Sequence, residues 1–129
     1  MHMRKAISTP EASAGNGPYS QAIVAGDFVY VSGQGPLDPK TGDIVGNTIE
    51  EQTELTLNNI HNILKAAGCT MDDVVKVNVF LADIKDFDRF NSVYIQFFNR
   101  PMPARTCVEA GLDNILVEID AIALLPGKE

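Results

Sequence analysis

The hydrophobic pattern changes period several times along the chain. Ala22 to Ala25 and Phe28 to Ser32 are runs of branched and aromatic residues flanking Gly26-Asp27. They read as two strands, and glycine at the first central position of a two-residue turn fits a type II′ hairpin. From Thr48 to Ala67 the period lengthens, and Leu57, Ile60, Leu64 and Ala67 fall on one helical stripe. Thr48 with Glu51 three residues later forms a capping box, and Gly68 stands where a helix end calls for a left-handed residue. Val74 to Leu81 alternates again, with Val75, Val77, Val79 and Leu81 set against Lys76, Asn78 and Phe80. Asp86 to Phe98 predicts a second helix with Phe87, Phe90, Tyr94 and Phe97 inside, which Pro101 and Pro103 prevent from continuing. Pro103 to Glu109 and Leu116 to Leu125 read as the last two strands.

Between these elements, residues 8–18 carry Pro10, Gly15, Gly17 and Pro18 and read as a loop. Asp38-Pro39-Lys40-Thr41-Gly42 is the turn of a second loop. The order β-β-α-β-α-β-β predicts an α+β fold with both helices on one face of a mixed sheet. Nothing in the chain is left to cover the other face, which predicts association with further copies. If the last two strands form an antiparallel hairpin turning between Leu112 and Asp113, Cys107 lies opposite Glu118 and Arg105 opposite Asp120. All four then share one face, and a slip by one residue sends Glu118 to the other.

Composition narrows the function classes. The 129 residues suit one domain, 1–129, and a hydrophobic content of 45% with 21% charged is that of a soluble globular protein. There is no apolar run of membrane-spanning length and no secretory leader pattern. Met1-His2-Met3 reads as including a cloning remnant, with Met3 the natural start. Cys69 and Cys107 make no disulfide framework and read as reduced thiols of a cytoplasmic protein. A net charge of −7 without a basic run argues against binding a nucleic-acid backbone. No residues have metal-ligand or phosphate-loop spacing.

The candidate chemistry centres on Pro103-Ala104-Arg105-Thr106-Cys107-Val108-Glu109. Arg105 is either a structural ion-pair residue or a bidentate clamp for a carboxylate, which its planar fork suits. Cys107 is either a small buried hydrophobe or a pocket thiol; a nucleophile would want a histidine base, and His61 lies mid-helix and His2 in the tail. Glu118 is either a solvent-facing glutamate or, if partly buried, a general base. Tyr19 reads as a loop aromatic or a pocket lid. Ser32 and Gly33 end a strand where the backbone allows close approach. Asn91 flanks the aromatic stripe of the second helix and can project toward a ligand.

Several motifs occur in order: Gly17-Pro18-Tyr19-Ser20-Gln21-Ala22, Val31-Ser32-Gly33-Gln34, Asp38 to Gly42, Pro103 to Glu109, and Val117-Glu118-Ile119-Asp120-Ala121-Ile122-Ala123. Together they closely resemble the Rid (YjgF) family of reactive intermediate imine/enamine deaminases, formerly called endoribonuclease L-PSP. The resemblance runs from about residue 5 to 124. It implies a chorismate-mutase-like α+β fold and a homotrimer with its sheets round a central barrel and its active sites in clefts between subunits. It implies hydrolysis of 2-imino acids such as 2-iminopropanoate and 2-iminobutanoate to 2-oxo acids and ammonia, without a cofactor. By motif, Arg105 would hold the substrate carboxylate and Glu118 would activate the attacking water. Cys107 would line the pocket, and Tyr19, Ser32, Gly33 and Asn91 would shape it. The chain departs from the family pattern at Gly35, where many members carry a branched apolar residue, and at Asp120, often a second glutamate. It is also short between Asn91 and Arg105 and at Gly111-Leu112-Asp113-Asn114. The rival readings are an RNA-cleaving translation inhibitor, a non-catalytic ligand-binding or chaperone-like trimer, and a deaminase for a different enamine.

Overall fold

In the computed structural model, residues 4–127 are described; the reading of Met1-His2-Met3 lies outside them. The elements are β1 (Arg4–Ile7), β2 (Ala22–Ala25), β3 (Phe28–Gln34), α1 (Ile49–Ala66), β4 (Val74–Leu81), α2 (Phe87–Tyr94), β5 (Ala104–Glu109) and β6 (Val117–Leu124). One six-stranded mixed sheet runs in the order β1-β2-β3-β6-β4-β5. The predicted α+β class therefore holds. The β2–β3 hairpin turns at Gly26, whose φ of 60° is the left-handed conformation that glycine adopts without steric cost. Strand β1 was not expected; three of its four residues are exposed, so it carries no alternating signal.

Helix α1 starts as the pattern predicts. The Glu51 amide donates to Thr48 Oγ1 at 3.1 Å, and Glu51 Oε1 accepts from the Thr48 amide at 3.2 Å. Its buried stripe of Leu57, Ile60, Ile63 and Leu64 lies on β3 and β6. Helix α2 packs on α1 with Phe90 fully buried. It is shorter than predicted, because the chain tightens into a 3₁₀ turn over Ile95–Phe97. Val29, Val31, Val77, Val79, Leu81, Ile119, Ala121 and Ala123 face the helices and are buried. Val75 departs from this alternation and is exposed, because a register irregularity between Val74 and Lys76 shifts the pleat. The opposite face carries Phe28, Tyr30, Phe80, Val108 and Ile122, and no helix covers it. Phe28 and Tyr30 are 37% and 45% exposed there.

The expected β5–β6 hairpin does not form. Strand β6 is bonded along one edge to β3 and along the other to β4, both antiparallel. A strand has only two edges, so β5 docks instead on the free edge of β4, in parallel. The 110–116 connection steps across the end of β4, where the Ala110 amide donates to Leu81 O and the Ala82 amide to Leu116 O. The placement of Arg105, Cys107, Glu118 and Asp120 on one face is corrected with it. Arg105 pairs with Val77 and Cys107 with Val79, in the rows of Ala121 and Ile119 on the helix face. Glu118 pairs with Phe80 and Asp120 with Asn78, on the open face.

Thr48→Ala removes one half of the capping box outright. We expect a loss of about 1 kcal/mol, seen as a lower urea midpoint at unchanged slope. An unchanged midpoint would show that α1 does not depend on this cap.

Candidate active site

The sequence-predicted residues gather in two separate places. The first lies at the sheet edge, under α2. Arg105 on β5 is half-buried, and its Nη1 donates to Asn91 Oδ1 at 2.8 Å. Its guanidinium carbon lies 4.7 Å from the Tyr94 ring centre, 5.5 Å from that of Phe87 and 5.7 Å from that of Phe90. Each such contact is worth about 0.5–2 kcal/mol, more as water is excluded. Residues 87, 90, 91 and 94 meet the same guanidinium because helical spacings of three and four share a face. Asn91 thus spends its oxygen on Arg105. Among the described residues the ion pairs are those of Arg89 with Glu50 and Asp86. Arg105 is therefore held by neutral groups alone, and the expected cross-strand pairing with Asp120 or Glu118 is absent. A concavity of about 270 Å³, lined by Asn91, Tyr94, Met102 and Pro103, opens beside this half-buried guanidinium, whose fork suits an anion.

Cys107 lies two residues along the same strand and the same face. Burial pushes its thiol above the ordinary value, against the pull of Arg105. A raised value disfavours the thiolate that a nucleophile needs. Burial likewise pushes the Tyr94 phenol up to about 12.

The second place is on the open face, around Glu118. The β3–β6 register slips between Val31 and Gln34, so β3 carries one extra residue there. This bulge re-aims Ser32 and Gly33. Ser32 Oγ donates to Ser20 O at 2.6 Å, which ties the strand to the Tyr19 loop. A Cβ at Gly33 would lie 2.8 Å from Glu118 Oε2, so the glycine is what leaves room for the carboxylate. Tyr19, 47% exposed, lies against Gly15 and Gly17 and lines a recess with Ser32, Gly33 and Glu118. Burial, reinforced by the Asp120 carboxylate, holds the Glu118 carboxyl above its ordinary value. Asp120 itself accepts from Asn78 Nδ2 at 2.9 Å.

The two places share no lining residue: Arg105, Asn91 and Cys107 belong to the helix face, and Tyr19, Ser32, Gly33 and Glu118 to the open face. Three supports were not read from the sequence. Phe87, Phe90 and Tyr94 read as core alone, although their spacing round Asn91 was the available signal. Gln21 donates from Nε2 to the carbonyls of Thr9, Ala12 and Ser13 and shapes the loop that leads to Tyr19. Gln52 bridges two distant loops from a helix interior, which no local pattern announces. Among the described residues no group of three His, Cys, Asp or Glu side chains is placed to hold a metal ion. Among the described residues no helix is long and apolar enough to cross a membrane.

Residues 9–125 match the family model described as endoribonuclease L-PSP. A RutC family protein of Pyrococcus horikoshii is 48% identical over 123 residues, covering 94% of this chain and 98% of the relative. A bovine protein named 2-iminobutanoate/2-iminopropanoate deaminase is 45% identical over 124 residues, covering 95% and 90%. The crystal structure of TdcF from E. coli with bound serine superimposes with a TM-score of 0.86 at 37% identity, covering 93% of this chain and 98% of that one.

The environment of Glu118 has a thermodynamic consequence. A carboxyl whose folded pKa is raised above its unfolded value, about 4.5, binds more protons when folded. Its contribution is fully present below pH 4.5 and is lost as pH rises through the raised value. The melting temperature of Glu118→Gln relative to wild type should therefore be lowest below pH 4.5 and climb above it. A difference independent of pH would show that Glu118 titrates as an exposed carboxylate.

Proposed function

The chain belongs to the endoribonuclease L-PSP family, the Rid, YjgF or RutC proteins, and from that membership we propose that it is a 2-imino acid deaminase. It hydrolyses substrates such as 2-iminopropanoate and 2-iminobutanoate to the 2-oxo acid and ammonia. The observation that carries the reading is the half-buried Arg105, held by Asn91 and three aromatic rings with no carboxylate partner among the described residues. A guanidinium so placed suits the carboxylate common to all 2-imino acids. Mammalian relatives named 2-iminobutanoate/2-iminopropanoate deaminase, and a neighbour with bound serine, support a small amino-acid-like ligand.

The reaction asks little of the protein. The protonated C=N carbon is already electrophilic, so a fixed carboxylate and an oriented water supply much of the rate. Glu118 takes a proton as the water oxygen bonds to C2. The carbinolamine then collapses: Glu118 returns its proton to the nitrogen, the C–N bond breaks, and the hydroxyl proton passes to Glu118 as C2 becomes the carbonyl carbon, to leave with ammonia as ammonium. A carboxyl raised by burial lies closer to neutral pH and serves both directions of this transfer. Gly33 gives the carboxylate its space, Ser32 and Tyr19 bound the recess, and the neutral Cys107 thiol lines the carboxylate side.

In one protomer, Arg105 and Glu118 are on opposite faces of the sheet. We read the complete site as two halves joined between copies, Arg105, Asn91 and Cys107 from one and Tyr19, Ser32, Gly33 and Glu118 from its neighbour. The uncovered face with Phe28 and Tyr30 is the surface such an assembly would bury. A homotrimer is the arrangement the family resemblance implies.

With 2-iminobutanoate generated in situ, wild type should accelerate ammonia release over the uncatalysed rate. Arg105→Met should lower kcat/KM about 100-fold, from the roughly 3 kcal/mol lost with one partner of a desolvated charge pair. No acceleration by wild type would end the deaminase reading, and a fully active Arg105→Met would end the clamp. The shared site has its own check. Arg105→Met and Glu118→Gln, each nearly inactive alone, should regain activity when unfolded and refolded together, because some interfaces then hold both native residues. A mixture no better than its parts would place the whole site within one chain.

A further inference from the structure

A cavity of about 530 Å³ opens from the Glu118 recess, sharing Tyr19, Gly33 and Glu118 with it. That volume lies in the range that accepts whole small ligands, and it exceeds what a methyl or ethyl side chain fills. One wall is the loop after β3, contributing Leu37 and Ile44; the other is the β5–β6 connection, contributing Asn114 and Ile115. Gly35 sits where they meet: a Cβ there would come 3.1 Å from Ile115 Cδ1, so the glycine keeps the cavity open. The charged residues in the lining are Asp113 and Glu118, with no lysine or arginine.

The two walls are set by helix α1. Gln52, 4% exposed, accepts from the Leu116 amide through Oε1 at 2.7 Å and donates from Nε2 to Gly46 O at 3.0 Å. One buried amide thus holds the connection on one side and the loop on the other. Asn59, one α1 stripe further on, donates from Nδ2 to Gly35 O at 3.2 Å and Leu37 O at 3.0 Å. Leu116 is two residues from Glu118, so the same amide fixes the spacing between the carboxylate and the cavity wall.

We propose that this cavity receives the side chain of the imino acid, that it selects extended uncharged side chains over small or carboxylate-bearing ones, and that Gln52 is the positioning residue that sets its width. This rests on the deaminase reading. Burying each additional methylene against Leu37, Ile44 and Ile115 favours the longer substrate by about fourfold. A second carboxylate meets Asp113 and Glu118 with no cation to compensate it.

The test compares 2-imino acids generated in situ by an amino-acid oxidase from alanine, norleucine and glutamate. Wild type should show a norleucine-to-alanine ratio of kcat/KM of about 60-fold, the fourfold gain taken over three additional methylenes, with the glutamate-derived imine slowest. Gly35→Ala, which brings a methyl against Ile115, should cut that ratio through the KM for the norleucine imine. Gln52→Leu, which breaks both tethers, should move the ratio toward one, whereas a merely structural loss slows both substrates alike. Gln52→Glu keeps the acceptor for the Leu116 amide and should fall between. If Gln52→Leu does not fold, Gly35→Ala carries the test. An active wild type that prefers the alanine imine, turns over the glutamate imine as fast as the norleucine one, or keeps its ratio in both Gly35→Ala and Gln52→Glu overturns this inference alone. A wild type inactive on all three overturns the deaminase reading and the inference together.

Discussion

The pairing of β6 on both of its edges governs the molecule. With β3 on one side and β4 on the other, the strand that carries Glu118 has no edge left for β5. The strand that carries Arg105 is displaced to the outside of β4 and runs parallel to it. This one restriction separates the cation from the carboxylate, sends them to opposite faces, and leaves each on a surface that another copy can reach. Had the hairpin formed, Arg105 would have stood opposite Asp120 with Glu118 on the same face, and carboxylates would have compensated its charge. An ion pair of that kind is structural, whereas two uncompensated groups are available for a ligand.

Each half of the proposed site is held without charge compensation, and that is its main chemical property. Three aromatic faces and one amide oxygen restrain Arg105, so its fork is pre-oriented while its charge remains unsatisfied. Glu118 is raised by burial rather than lowered by a neighbouring cation. The β3 bulge and Gly33 are the backbone devices that make this burial sterically possible. The neutral Cys107 thiol beside Arg105 is consistent with lining rather than attack.

The buried amides of α1 and of Gln21, just before β2, link the sheet to its loops. Gln21, Gln52 and Asn59 each satisfy backbone groups of segments remote in sequence. An amide supplies both a donor and an acceptor, so Gln52 alone holds two loops, which an apolar residue cannot do.

Local signals were sufficient for much of this. The Thr48 cap, the stripe of α1, the Gly26 turn and the span of β4 follow from residue type and period, because their energetics are settled within a few residues. The ordered motifs likewise singled out Arg105 and Glu118. The face on which each residue lies was another matter. Side-chain direction alternates with every residue, so it depends on which strand pairs with which, and that is a competition for edges among segments far apart in the chain. The sequence by itself determined the elements and the chemical groups. Only the tertiary structure decided that β6 would be enclosed by β3 and β4, and so that Arg105 and Glu118 would stand apart.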